Sequence, residues 1–253
     1  MKLSVAIITH NEAANIGQVL ASVSFADEVV LVDAYSTDET IEIAKGLGAR
    51  AFLEEWKGFA AQKNSAIAKC TGDWVLSLDA DEAVSPELQQ QIVTLLAGNP
   101  QHDGYYLPRR NYFLGRWIKH GGFYPDAKLR LFKRGSAHFA ERAVHETMQC
   151  TGTTGTLSGD LIHHSYPTLE NYLGHMNRYS SLGAEVLIAK NKTSRGPLAF
   201  YWNVYLVPQF TFTYNYFFRF GFLDGREGLL LHLYHAVYVS WKYAKAWQRA
   251  RSL

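Results

Sequence analysis

The first hundred residues alternate between short apolar runs and stretches in which apolar residues recur every three or four positions. The apolar runs cover residues 4–9, 28–33, 49–52 and 74–78, and their length and composition predict strands. The periodic stretches between them predict helices, and a further helix is expected to begin at Ser85-Pro86. This alternation indicates an α/β fold with a mostly parallel central sheet and right-handed crossovers.

The pattern changes after Asn99-Pro100. Short strand-like runs follow, separated by turns that contain glycine and proline. They lie at residues 104–108, 112–114, 128–132 and 159–164. These runs predict added β pairing in a less regular second half, followed by a helix over residues 169–190.

Three aspartates stand where predicted strands end. Asp33 closes the second strand, and Asp79 and Asp81 follow the fourth with one small residue between them. The carboxyl ends of parallel strands open into one crevice, where open α/β sheets bind ligands. Two carboxylates at this spacing suit a divalent cation that also holds phosphate, although Asp is also an ordinary turn residue. The sequence has neither GxGxxG after the first strand nor GxxxxGK[ST], which argues against a dinucleotide fingerprint or a Walker phosphate loop.

Composition narrows the compartment and the partners. The formal charge of +2 over 253 residues predicts no general affinity for nucleic acid. Cys70 and Cys150 have no CxxC spacing, which argues against a zinc site or a disulfide framework and fits a reducing compartment. The apolar run at the amino terminus is too short for a signal peptide, so none is expected.

The carboxyl-terminal part is unusually aromatic. Residues 200–247 hold 17 of the 35 Phe, Tyr and Trp residues, and residues 196–218 contain no Asp, Glu, Lys or Arg. Prolines and polar residues argue against a membrane span, whereas aromatic and basic residues together favour the bilayer surface. We therefore expect association with one face of a membrane. An oligomer interface or a lid over the core is the alternative.

Several motifs together resemble one family. The resemblance rests on Ile8-Thr9-His10-Asn11-Glu12, Val32-Asp33-Ala34-Tyr35-Ser36-Thr37-Asp38, Gln62-Lys63-Asn64, residues 72–82 and Val144-His145-Glu146. The chain resembles family 2 glycosyltransferases with the GT-A fold, and within them the small bacterial lipopolysaccharide core glucosyltransferases of the WaaE/KdtX type. The resemblance is strong over residues 1–195 and weaker beyond. We therefore expect a GT-A domain at 1–195 and a helical, aromatic and basic segment at 196–253, associated with a membrane or an interface.

The resemblance implies a role for each matching residue. Thr9, Asn11, Glu12 and Ser36 are expected to line the nucleotide, and Asp33 to read the uracil edge. Lys63 is expected beside the base or the diphosphate, Asp79 at the ribose or the metal, and Asp81 at Mn²⁺ or Mg²⁺. Arg130 is a further candidate for the diphosphate, or else part of an exposed charged run. His145 and His163 are further candidates to ligate the metal or to contact a phosphate. For Asp33 the bland alternative is a strand-end cap, for Lys63 a solvated lysine and for His163 a structural histidine.

An inverting transfer needs one base to take the proton of the acceptor hydroxyl. The resemblance implies Glu146 as this base, with Asp126 second and an ordinary surface glutamate as the alternative for Glu146. Arg109 and Arg110 are candidates to hold an anionic acceptor, or else form an exposed charged run.

The expected function is metal-dependent transfer of a hexose from a UDP-sugar, glucose from UDP-glucose, to a lipid-linked glycan such as the lipopolysaccharide inner core. The expected location is the cytoplasm, peripheral on the inner membrane. Alternatives are a GT-A transferase for a peptide or polyprenyl-phosphate acceptor, a nucleotidyltransferase, and a nucleotide-sugar-binding membrane protein without catalysis. The missing glycine-rich basic first loop argues against a nucleotidyltransferase, and the intact acids argue against a protein without catalysis. Oligomers are compatible with the sequence.

Overall fold

The structure is a computed structural model that describes residues 1–140 and 147–251. The chain divides into two compact units. Unit 1 comprises Met1–Arg110 and Asp126–His163, and unit 2 comprises Asn111–Pro125 and His164–Leu253. The helix at residues 169–189 thus falls in unit 2, whereas the sequence analysis placed these residues in the GT-A domain at 1–195. The domain boundary expected near residue 195 stays a prediction.

The strands and helices follow the alternation of the sequence. The strands are β1 (Leu3–Thr9), β2 (Glu28–Asp33), β3 (Arg50–Leu53), β4 (Trp74–Asp79), β5 (Glu82–Val84), β6 (Gly104–Leu107), β7 (Arg109–Phe113), β8 (Arg116–Trp117), β9 (Lys128–Lys133), β10 (Ala137–Ala140), β11 (Thr147–Cys150), β12 (Thr154–Thr156) and β13 (Leu161–Tyr166). The α-helices are α1 (Ala13–Ser22), α2 (Thr40–Gly46), α3 (Phe59–Ala68), α4 (Pro86–Ala97), α5 (Leu169–Ala189), α6 (Pro197–Tyr201), α7 (Val207–Thr213) and α8 (Gly225–Arg251). Two π-helical segments, Trp202–Leu206 and Tyr214–Phe218, and a 3₁₀ helix, Gly221–Asp224, complete the helical elements of the described residues.

Unit 1 is built on a seven-stranded mixed sheet in the order β12-β6-β9-β4-β1-β2-β3. Strand β1 pairs in parallel with β2 and β4, and β2 pairs in parallel with β3. Strand β9 runs antiparallel between β4 and β6. The parallel half brings the ends of β1, β2 and β4 to one edge of the sheet, as the sequence predicted. The mostly parallel sheet with flanking helices is therefore confirmed.

Two apolar clusters cover the two faces of this sheet. Val5 and Ile7 of β1 join a cluster with buried residues of α1, α2 and α4. Ala6 of β1 joins a second cluster with Ala60 and Ala66 of α3. Successive side chains of a strand point to opposite faces, so a strand buried on both faces reads as an unbroken apolar run. This explains why β1, β2 and β4 were predictable from sequence.

Local signals set where the elements around β4 begin. The Ser85 hydroxyl accepts a hydrogen bond from the Leu88 N–H at 3.2 Å, and Pro86 occupies the first turn of α4. This is a capped helix start in which proline removes an N–H that would have no partner. Before β4, a Cβ at Gly72 would lie 2.9 Å from the Lys2 carbonyl oxygen, so this turn requires glycine.

Unit 2 is mainly helical. Phe113, Ile118, Tyr172 and Leu231 form its apolar centre, and α5 packs along α8. The helical residues 197–218 pack against α8 through contacts such as Phe200 with Trp247, whose ring centroids are 4.8 Å apart. Across residues 1–140 and 147–251, no helix has both the length and the apolar character needed to cross a bilayer.

Candidate active site

The loops that leave β1 and β2 are joined through Asp33. The Asp33 carboxylate is fully buried and accepts hydrogen bonds from the Thr9 hydroxyl at 2.8 Å, the Ser36 N–H at 2.7 Å and the Ser36 hydroxyl at 2.5 Å. The Asn11 N–H donates to the Ser36 hydroxyl oxygen at 2.8 Å, and the Asn11 amide oxygen accepts from the Thr37 N–H at 2.8 Å. The structure thus brings Thr9, Asn11, Asp33 and Ser36 together, and their contact with a nucleotide stays a prediction.

Glu12 lies at the start of α1 beside other acids. Its carboxylate accepts a hydrogen bond from Asn15 at 2.8 Å. Burial raises the pKa of Glu12, the Asn15 hydrogen bond opposes this, and the nearby charges of Asp81 and Asp38 raise the pKa further. Negative charge therefore accumulates between the end of β1 and the loop after β4, which favours a cation there.

Seven alternating charges run through the centre of unit 1. We call this series of ion pairs the charge chain; in order, its members are Lys63, Asp79, Arg130, Glu82, Arg109, Asp126 and Lys128. Lys63 Nζ lies 2.6 Å from Asp79 Oδ1, and Arg130 binds the other Asp79 oxygen. Both carboxylate oxygens of Asp79 are therefore paired with cationic side chains of the protein.

Opposite charges keep these groups ionised. Desolvation raises the pKa of Asp79, but Arg130 and Lys63 outweigh it and hold that pKa well below the ordinary value. Desolvation acts on Glu82 in the same way, and Arg130 with Arg109 lowers the Glu82 pKa overall. Desolvation alone would lower the pKa of Arg130, but Asp79 and Glu82 raise it. The Arg130 guanidinium and the Asp79 and Glu82 carboxylates are therefore all charged at neutral pH.

Glu82 lies at the centre of this charge chain. Its role was not predicted from the sequence. Its side chain is fully buried, and its Oε2 accepts a hydrogen bond from the Asp79 N–H at 3.0 Å. Its Oε1 accepts from Arg130 at 2.8 Å and from Arg109 at 2.9 Å. A signal existed, because Arg130 lies between two leucines of a strand and a buried arginine requires an acid.

Asp81 and His163 form a separate pair at the end of β4. His163 Nε2 lies 3.2 Å from Asp81 Oδ2, and the two side chains keep 14% and 33% of their exposure. Within residues 1–140 and 147–251, no group of three or more His, Cys, Asp or Glu side chains is close enough to hold a metal. A carboxylate and an imidazole are nevertheless suitable donors for Mn²⁺ or Mg²⁺ when substrate phosphates and water complete the coordination.

Asp126 is held by cations. Arg109 Nη2 lies 2.5 Å and Arg109 Nε 3.1 Å from Asp126 Oδ2, and Lys128 Nζ lies 2.8 Å from Oδ1. Desolvation raises the pKa of Asp126, but Arg109 and Lys128 together lower it to about 2. A carboxylate with so low a pKa is a weak base at neutral pH.

The remaining candidates are Arg109, Arg110, His145 and Glu146. Arg110 Nε lies 2.5 Å from Asp160 Oδ2, and Arg109 is bound as above, so each arginine faces an acid of the chain. Glu146 and His145 lie outside the described residues. The predicted roles of all these residues stay predictions.

Comparison with known proteins assigns the chain to a family. The model of glycosyl transferase family 2 matches residues 4–155, which contain β1, β2, β4 and the seven alternating charges from Lys63 to Lys128. An uncharacterized glycosyltransferase of Rickettsia prowazekii is 36% identical over 208 residues, covering 76% of this chain and 70% of that protein. The lipopolysaccharide core biosynthesis glycosyltransferase LpsC of Rhizobium meliloti is 29% identical over 256 residues, covering 98% and 93%.

Solved structures share the fold. The mannosyltransferase PcManGT of Pyrobaculum calidifontis, in complex with GDP-Man and Mn²⁺, has a TM-score of 0.57 at 17% identity and covers 97% of this chain and 86% of its own. Residues 1–349 of S. aureus TarS with UDP-GlcNAc have a TM-score of 0.51 at 18% identity, covering 100% and 92%. The fold is GT-A, as expected, and the chain belongs to the family 2 glycosyltransferases.

Proposed function

We propose that this protein is an inverting, metal-dependent hexosyltransferase. It moves glucose from UDP-glucose to a lipid-linked glycan such as the lipopolysaccharide inner core. The role of LpsC in lipopolysaccharide core biosynthesis supports this acceptor, because the similarity to that relative covers nearly the whole chain. Because the proposed acceptor is anchored in lipid, we propose that the protein acts at the cytoplasmic face of the inner membrane, to which it binds peripherally.

The observation that carries the proposal is that Asp79 and Asp81 have different partners. Asp79 is bound by Lys63 and Arg130, whereas Asp81 lies beside His163 near the acidic Glu12. Asp81 and His163 are therefore the residues proposed to hold Mn²⁺ or Mg²⁺. When bound, the cation would neutralise the diphosphate of the leaving UDP. Asp79 is proposed for the ribose rather than as a main metal ligand.

The nucleotide is proposed to lie over the loops joined through Asp33. Asn11 and Tyr35 adopt left-handed backbone conformations where β1 and β2 end, with φ near 56° at both. A left-handed conformation is uncommon outside glycine, and both residues follow strand ends, where open α/β sheets bind ligands. Thr9, Asn11, Glu12, Asp33 and Ser36 are the residues proposed to line it.

Lys63 and Arg130 are proposed to place positive charge beside the diphosphate. Both side chains are about 95% buried, so the field they exert is weakly screened by water. Their charge is shared with Asp79 and Glu82 in the resting protein. A fixed field of this kind stabilises charge that develops on a leaving group without reorganisation of the site.

Glu146 remains the proposed base. The transfer breaks the bond between the anomeric carbon and the UDP oxygen and forms a bond to the acceptor oxygen. The acceptor proton passes to the base, and the electron pair leaves with UDP. Asp126 is a poorer choice, because Arg109 and Lys128 lower its pKa to about 2.

A thermal-shift panel tests the donor. UDP-, GDP-, CMP- and dTDP-sugars are compared with and without Mn²⁺, because a ligand that binds the folded protein raises its melting temperature. We expect the largest rise in melting temperature for UDP-glucose with Mn²⁺. In Asp81→Asn we expect Mn²⁺ to add nothing to the rise that UDP-glucose gives alone. An equal shift for GDP-sugars, or a shift independent of metal, would contradict the proposal.

Transfer of labelled glucose tests the acceptor. Lipopolysaccharide inner core, polyprenyl phosphate and a peptide pool are offered separately with the same donor. We expect product only with inner core. Transfer to polyprenyl phosphate or to peptide would redirect the proposal to the alternative acceptors named above.

A further inference from the structure

Unit 2 carries an exposed aromatic surface along residues 197–218. We call it the aromatic face. Eight large side chains compose it, each more than half exposed: Leu198, Tyr201, Trp202, Tyr205, Phe210, Tyr214, Phe217 and Phe218. They recur every three to five positions, with two adjacent pairs at Tyr201-Trp202 and Phe217-Phe218, and all lie on the exposed side of a continuous helical run.

The other side of the same run is packed. Phe200 contacts Trp247, and the Val204 carbonyl accepts a hydrogen bond from the Ser240 hydroxyl at 2.8 Å. Pro208 is buried. Helix α8 thus holds the run in place, and the aromatic face is the side left toward solvent.

The size of the aromatic face exceeds what a monomer ordinarily exposes. Eight half-exposed large side chains amount to roughly 800 Å² of mostly apolar surface. The largest apolar patch of a typical soluble monomer is about 300–600 Å² and is often functional. Leu198 and Phe218, at the two ends of the run, are the most exposed, at 85% and 70%.

Basic side chains flank the aromatic face at both ends. Lys190, Lys192 and Arg195 precede it, and Arg219 and Arg226 follow it; all five are exposed. Between residues 186 and 226 the one acid is Asp224, which is buried and accepts from His120. The sequence that directly flanks the aromatic face therefore carries a net positive charge.

We propose that the aromatic face docks on an anionic lipid bilayer, with the helical run lying in the interface plane. Tyr and Trp prefer the headgroup level, Phe and Leu reach the acyl boundary, and the basic ends contact anionic headgroups. A twofold dimer would place the same basic patch against itself, which costs energy. The charge pattern therefore favours lipid over a second copy.

This inference deepens the proposed function by naming the surface that meets the membrane. It relies on that function for the choice of membrane alone. Vesicle binding is measured without nucleotide or acceptor, so it can fail while UDP-glucose turnover succeeds, and the reverse. The two proposals therefore fail separately.

The test is flotation of the full chain with vesicles of phosphatidylcholine, alone or with about one third phosphatidylglycerol. The test variant carries Trp202→Ser, Phe210→Ser and Phe218→Ser. The matched control carries Leu47→Ser, Trp56→Ser and Phe59→Ser, which remove side chains of similar exposure from unit 1. Circular dichroism and melting temperature verify that both variants fold.

We expect the wild type and the control to float with the anionic vesicles. The test variant should partition at least about tenfold less. Lys192→Gln with Arg195→Gln should weaken binding to anionic vesicles several-fold and leave binding to phosphatidylcholine unchanged.

Three results would overturn the proposal. The first is a wild type that does not float. The second is equal partitioning of the test variant and the control. The third is a lipid-free wild type that light scattering shows to be a dimer and that becomes a monomer in the test variant, which would make the aromatic face an interface between copies. Equal binding to both vesicle types would overturn the role of the basic ends.

Discussion

Arg130 Nη2 lies 2.8 Å from Glu82 Oε1, and both side chains are almost completely buried. Removing one partner of a buried ion pair leaves the other uncompensated, at a cost of about 3–5 kcal/mol. We expect Glu82→Ala to lower the free energy of unfolding by about 3 kcal/mol, and Glu82→Gln by less, because its amide oxygen still accepts. Urea unfolding at neutral pH measures both.

The control for this prediction is Glu55→Ala. Glu55 is exposed, so its removal should change stability by no more than about 0.5 kcal/mol. A loss below about 1 kcal/mol in Glu82→Ala would mean that Glu82 does not hold the two arginines in place.

The Asp126 carboxyl gives a pH dependence with a definite sign. Its pKa falls from 3.8 to about 2 on folding, so the stabilisation is complete above the ordinary pKa and is lost as pH falls from about 4 to about 2. We expect Asp126→Asn to be less stable than wild type by on the order of 2 kcal/mol at pH 7, with the difference shrinking below pH 4. Urea titrations at several pH values check this, and a constant difference would refute it.

Asp81 and His163 should govern metal-dependent nucleotide binding. We expect Asp81→Asn or His163→Ala to weaken UDP binding in Mn²⁺ by about tenfold or more, with little effect on UDP binding without metal. Calorimetry with and without Mn²⁺ measures the difference. Glu55→Gln serves as the control, and an unchanged metal effect in both site variants would remove the pair from the metal site.

Glu146 should separate binding from chemistry. We expect Glu146→Gln to bind UDP as the wild type does while transfer falls by about 10²-fold or more, because the amide cannot take the acceptor proton. Calorimetry and a labelled-sugar assay give the two readings. Turnover near that of the wild type would move the base to Asp126 in spite of its paired cations.

The two cysteines should differ in reactivity. Burial raises the pKa of Cys70 to about 12, and its side chain is 4% exposed, whereas Cys150 is partly exposed. The thiolate is the reactive form, so iodoacetamide should label the native protein at Cys150 and reach Cys70 only after unfolding. Mass spectrometry of labelled peptides tests this. Labelling of native Cys70 would show that α3 opens readily.

The parallel half of the sheet was predictable because its signals are local. Strands β1, β2 and β4 are buried on both faces and read as apolar runs, and β2 and β4 end at Asp33 and Asp79. The short strands β5, β10, β11 and β12 were not predicted. Each has three or four residues, and its pairing depends on distant partners, such as β12 on β6.

The ion pairs between side chains of the candidate site were harder to predict from the sequence. Lys63, Asp79 and Arg130 were all singled out, but the contact of Arg130 with Asp79 depends on β9 pairing antiparallel with β4. The same pairing brings Arg130 to Glu82, 48 residues away in the chain. Such long-range contacts leave no periodic signal, so the motif positions were visible while the charge chain was not.

The chain passes between the two units three times, because residues 111–125 belong with the carboxyl-terminal helices. Phe113 and Ile118 of this early segment are buried against Tyr172 and Leu231 of the late one. A chimera that exchanges the helical part between relatives must therefore transplant both segments together. Swapping the tail alone would pair a foreign α8 with the resident Phe113 and Ile118, and a recombination point after residue 195 would divide one apolar core between two parents.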